Sequence, residues 1–216
     1  MDRLARAAAL LALAVVVATA LPTGASLAAA PALFGTAEFR AESHAALPQW
    51  GHELLGIAAE AAAVEVCARD AGACPSRGTA AWAALLRGVA GEPRLRQVRE
   101  INRFISAWEY RTDADNYGRS DYWATPFEFF RRSGDCEDYA IAKYRSLRLL
   151  GLPADQLLMV VVQDVVRDLP HAVLAVYLED NVYILDNLTD AVLPQARVGH
   201  YVPYYSVNEV TRWAHT

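Results

Sequence analysis

Apolar positions follow a helical period through the first two-thirds of the chain and a strand period through the last third. From Trp50 to about Arg69 the Ala-rich sequence favours helix by propensity, and Ala80 to Val89 predicts a shorter second one. Val98, Ile101, Phe104, Ile105 and Trp108 then fall at helical spacing, with Arg96, Arg99 and Arg103 toward water. This stripe reads as core packing. Asp113 to Asp121, with Asn116, Gly118 and Ser120, predicts a polar loop that ends at Tyr122-Trp123. A helix start follows: Thr125 as N-cap, Pro126 at the first helical position and Glu128 three residues after the cap. That helix ends near Arg132, Ser133-Gly134 breaks the chain, and another runs from Asp135 to about Leu150, stopped by Gly151 and Pro153.

Beyond that point the period changes. Leu157–Val166, His171–Leu178 and Val182–Leu188 are rich in β-branched and aromatic residues and separated by polar turns, which predicts successive antiparallel strands. Tyr201–Val207 is expected at a sheet edge, because Pro203 cannot donate to a ladder. Helices first and sheet second make an α+β domain.

The N-terminus stands apart. Arg3 and Arg6 precede an apolar run from Ala7 to Ala20, followed by Pro22, Gly24 and Ser26-Leu27-Ala28. This is the pattern of a secretory signal peptide over 1–28, cut after Ala28, which leaves 29–216 as one exported domain. The apolar core falls short of the roughly 20 residues that span a membrane. A formal net charge of -5 with no basic run leaves no electrostatic footprint for nucleic acid or an anionic membrane face.

Three cysteines divide unevenly. Cys67 and Cys74 lie close together and read either as a disulfide closing a helix end or as two loop thiols, and no second ligand pair suggests zinc. Cys136 stands alone in the first turn of the helix predicted from Asp135, where free N–H groups and the helix dipole favour a thiolate and could hold an oxyanion. A lone cysteine there is more often a small buried residue. His171 and Asp186 change the balance, since they offer a base and an acceptor for its other ring nitrogen. If Leu178 pairs with Asn181, or Tyr177 with Val182, the two lie diagonally on one face. A slip of one residue separates them.

The acids beside the cysteine pose a conflict, because Asp135, Glu137 and Asp138 would raise the thiol pKa if left bare. A hard divalent cation such as calcium would resolve it, with carbonyls of the Asp113–Asp121 loop completing the coordination. Acids that merely suit a helix start are the plainer reading.

The runs Asp121-Tyr122-Trp123-Ala124-Thr125-Pro126-Phe127-Glu128-Phe129, Gly134-Asp135-Cys136-Glu137-Asp138-Tyr139, His171-Ala172-Val173-Leu174 and Leu185-Asp186-Asn187 resemble the bacterial transglutaminase-like cysteine peptidases. The resemblance implies a papain-like, transglutaminase-type fold, a Cys136, His171 and Asp186 triad, and a Ca2+ site at Asp135, Glu137 and Asp138. It further implies a periplasmic endopeptidase that cuts a large surface adhesin near its N-terminus and so releases biofilm cells. An inner-membrane cyclic di-GMP receptor is the implied partner, with Trp123 in the contact. Two other readings compete: a transglutaminase-type acyl transferase using the same thioester, and a non-catalytic calcium-responsive binding module.

Overall fold

The computed structural model describes residues 32–179 and 181–216; the signal segment expected over 1–28 lies outside them. Among the described residues, no helix is long and apolar enough to cross a membrane. Among the described residues, six α-helices lie between the first and second strands: α1 (Pro48–Arg69), α2 (Arg77–Val89), α3 (Arg94–Ser106), α4 (Asp113–Tyr117), α5 (Pro126–Arg132) and α6 (Cys136–Leu149). Seven strands follow the order β1-β7-β6-β2-β3-β4-β5, all neighbours antiparallel: β1 (Glu38–Arg40), β2 (Leu157–Asp164), β3 (Leu169–Leu178), β4 (Asn181–Leu185), β5 (Leu193–Pro194), β6 (Tyr201–Val207) and β7 (Arg212–His215).

The sheet is buried on both faces. Leu157, Met159, Leu174 and Val176 pack with α6 and the other helices, while Leu158, Val160, Val173 and Ala175 meet Leu33, Val198 and Tyr201 opposite. This double burial explains why β2 and β3 read as continuous apolar runs. Helix α6 lies in the thick of the first layer, with Tyr139, Ile141, Tyr144 and Leu147 all buried. Cys67 and Cys74 form a disulfide between the end of α1 and the turn before α2.

Two expectations are corrected. The segment after Thr112 is not wholly loop: the Thr112 side chain accepts the Asp115 N–H, and Gly118 closes one helical turn at φ +63°. Strand β6 is not an edge. It lies between β7 and β2, and Pro203 is tolerated because the ladder with β2 bulges at Tyr204 while β7 pairs only Tyr205–Val207.

Helix α1 carries a buried acid. Glu53 is fully enclosed, and among the described residues neither carboxyl oxygen has a hydrogen-bond partner. Burial first, then Glu60 and Glu128 nearby, push its carboxyl up to about 9. The folded group thus stays protonated while the unfolded chain ionises above the ordinary 4.5. Its contribution to stability is fully present below that value and is lost as pH rises toward about 9. Glu53→Gln is neutral at every pH, so its melting temperature should match wild type at acid pH and exceed it near pH 8, by on the order of a few kcal/mol of stability. Parallel pH slopes for the two proteins in calorimetry would contradict this reading.

Candidate active site

The thiol, the imidazole and the carboxylate come from three elements whose local sequences fix them. Thr125 and Glu128 cap α5 reciprocally, with Pro126 behind the cap, as the sequence predicts. The chain then turns sharply through Ser133 at φ +65° and Gly134. A Cβ on Gly134 would sit 2.0 Å from Asp138 Oδ2, so only glycine lets that carboxylate fold back. Asp138 is fully buried and accepts from the Ala124 amide at 2.6 Å and the Asp135 amide at 3.2 Å. These bonds tie the start of α6 to the segment before α5, and they set Cys136 at the first helical position.

Strand register brings the other two together. Leu178 pairs with Asn181 and Tyr177 with Val182, the register the diagonal contact requires, and the ladder ends at Leu174–Leu185. One residue further, Asp186 Oδ1 lies 2.9 Å from His171 Nε2. Both residues are buried. Tyr201 on β6 donates its hydroxyl to Asp186 Oδ2 at 2.5 Å, and the Leu188 amide donates to Oδ1 at 3.0 Å. Burial alone would raise the Asp186 carboxyl, but these donors outweigh it and hold the group near about 2. The carboxylate is therefore charged at any physiological pH, and with Nε2 committed, Nδ1 is the ring nitrogen left for another partner.

Cys136 and His171 line one cavity of about 300 Å³, together with Trp108, Tyr110, Arg167 and Leu188. The Cys136 thiol donates to Glu137 Oε2 at 3.1 Å. Burial, then Glu137 and Asp135, push this thiol well above its ordinary range.

The acids beside it do gather. Asp135 and Glu137 are joined by Asp113 of α4, each offering an oxygen within 4.8 Å of the others. Asp113 Oδ2 accepts from the Tyr122 amide at 2.5 Å, but Asp113 Oδ1 and Asp135 Oδ1 are buried with no partner among the described residues. Burial first and neighbouring carboxylates after it push Asp113 up to about 6 and Asp135 up to about 8. Orphaned, crowded carboxyl oxygens fit a hard divalent cation bonded at roughly 2.3–2.6 Å. Asp138, expected in this set, spends both oxygens on backbone amides instead.

Sequence reasoning missed Asp113 and Tyr201, which reach the site only through tertiary contacts. Trp123, expected to face a partner, is buried: its indole donates to Asp121 at 3.1 Å and its ring meets Trp50 edge-on at 6.2 Å. The Ala124–Asp138 bond draws the chain before α5 inward beside it.

A cysteine at a helix N-terminus that shares a cavity with an aspartate-held histidine on an antiparallel sheet defines the papain-like and transglutaminase-like cysteine hydrolases. The family model described as bacterial transglutaminase-like cysteine proteinase matches residues 57–216, and the chain belongs to that family. It is a cysteine peptidase with the transglutaminase-like fold. Among solved structures, Legionella pneumophila LapG is similar at 32% identity and a TM-score of 0.62, covering 70% of this chain and 87% of that one. Its calcium-bound form matches at 31% identity and 0.63 over the same shares. The EGTA-treated form matches at 32% and 0.63, over 71% and 86%. No curated protein matches the chain.

Proposed function

We propose that the chain is exported behind a cleaved signal peptide and acts in the periplasm as a calcium-dependent endopeptidase, with Cys136 as nucleophile, His171 as base and Asp186 orienting the histidine. The observation that carries this reading is the cavity shared by Cys136 and an Asp186-held His171, beside a cluster of Asp113, Asp135 and Glu137 in which the first two each leave a buried oxygen unpaired among the described residues.

In this reading the Cys136 thiol gives its proton to His171 Nδ1, and the sulfur attacks the peptide carbonyl. First-turn N–H groups of α6 receive the negative oxygen, since such groups lack helical partners. The peptide C–N bond then breaks, the leaving amine takes the proton from His171, and a thioester remains. His171 next removes a proton from water, whose oxygen displaces the thiolate and frees the new carboxyl terminus. Asp135, Glu137 and Asp113 would hold calcium, which when bound cancels the negative charge that otherwise keeps the thiol protonated. Asp138 serves the same site indirectly by fixing the backbone of Asp135.

The substrate is proposed to be a large surface adhesin, cut near its N-terminus to release biofilm cells, with an inner-membrane cyclic di-GMP receptor restraining the protease. Support comes from the likeness to LapG, and Trp123 is the residue proposed for the receptor contact. Mass spectrometry of an adhesin N-terminal fragment incubated with the protein tests the reaction: new peptide termini are expected. An isopeptide bond with loss of ammonia would mean that an amine, not water, resolves the thioester.

A further inference from the structure

Beneath the candidate triad lies a cation that the reaction does not use. Lys143 stands seven residues after Cys136 on α6 and is 1% exposed. Among the described residues it has no carboxylate within ion-pairing distance. Its Nζ donates to Ser106 Oγ at 3.1 Å and lies 5.9 Å from the centre of the Tyr139 ring. Ser106, at the end of α3, passes the contact on: its hydroxyl donates to the main-chain carbonyl of Asp186 at 3.1 Å. Burial lowers the amine to about 7, against an opposing pull from Asp186 and then Asp190.

A lysine sealed among apolar side chains is costly, and a methionine or leucine would fill the same space without that cost. Nothing in the packing of α6 asks for an amine there. Among the described residues, the amine donates to one hydroxyl, and that hydroxyl donates in turn to the backbone of Asp186. The strand ladder has already ended at Leu185, so past it the Asp186 main chain is held by Ser106 rather than by a neighbouring strand. Ser106 also lines the cavity that contains Cys136 and His171.

We propose that Lys143 is a positioning residue for the triad: through Ser106 it fixes the Asp186 main chain, and so the carboxylate that orients His171. The reach is from one end of the site to the other along a single helix, since α6 carries Cys136 at its start and Lys143 two turns on. The proposal rests on the triad assignment, so its test must separate the two.

The probe is iodoacetamide, which alkylates the Cys136 thiolate and needs no knowledge of the substrate. Rates are measured near neutral pH with calcium present, on wild type, Lys143→Met, Ser106→Ala, Ser106→Thr and His171→Ala. His171→Ala should slow alkylation, and if it does not, the triad reading fails regardless of Lys143. Lys143→Met and Ser106→Ala should each slow it about tenfold, the equivalent of one lost hydrogen-bonded contact. Ser106→Thr, which keeps the hydroxyl, should stay within about twofold of wild type. Lys143→Met should melt no lower than wild type, because the exchange removes a buried charge. Alkylation of Lys143→Met at the wild-type rate, with His171→Ala slowed, overturns the proposal. Should Lys143→Met fail to fold, the Ser106 pair decides: equal rates for alanine and threonine overturn it, and a slow alanine with a fast threonine sustains it.

Discussion

Cys136→Ala is expected to reduce peptide cleavage by on the order of 10⁴-fold or more while leaving the fold intact. The sulfur is the atom that would carry the acyl group, so no neighbour can substitute for it. Among the described residues, the thiol makes one hydrogen bond, to Glu137 Oε2. Cys136 itself lines the cavity, where water can take the sulfur's place, so the loss should cost little stability. Removing the sulfur also lifts a group that burial and the flanking acids hold in its protonated form. Melting temperature and circular dichroism of the variant should therefore match wild type. Residual cleavage near the wild-type rate would place the nucleophile elsewhere.

The second large effect concerns the acids. Asp135→Asn and Glu137→Gln should abolish both the calcium-induced rise in melting temperature and the catalytic response to calcium. For wild type, free calcium at about 100 times its dissociation constant adds roughly 2.7 kcal/mol. In a chain of this size that is a rise of roughly 5–10 °C. Asp113→Asn should lose the same response, although its residue lies more than twenty positions upstream, because its unpartnered Oδ1 belongs to the same cluster. Asp138 behaves differently: its alanine variant should fail in folding of the α6 start, with or without calcium, since it forfeits bonds to the Ala124 and Asp135 amides. A calcium shift of wild-type size in all three cluster variants would reduce the acids to helix-start residues.

How far the chain was legible depends on the range of the interactions involved. The cap of α5 was readable because Thr125, Pro126 and Glu128 act within one turn. The register of β3 and β4 could be posed in advance as a condition because the two β-branched, aromatic-rich runs are so close in sequence, and the pairing of Leu178 with Asn181 and Tyr177 with Val182 meets it. The outer strands were not readable. Three residues of β1, all exposed, and the two of β5 carry no alternation to read. Pro203 misled because a bulge, which only the partner strand reveals, removes the need for its missing N–H. Asp113 and Tyr201 escaped for the same reason: each is ordinary in its own segment and meets the site only when α4 and β6 are folded against it. Trp123 was given a partner contact by the family resemblance alone, and its burial beside Trp50 depends on packing that its own segment does not reveal.

The most direct test of the catalytic reading is cleavage of a purified adhesin N-terminal fragment by wild-type protein with calcium, the same protein with a calcium chelator, and Cys136→Ala with calcium, run side by side. New termini in the first reaction alone are the expected result. Cleavage that persists in either of the others would contradict a calcium-dependent thioester mechanism at Cys136.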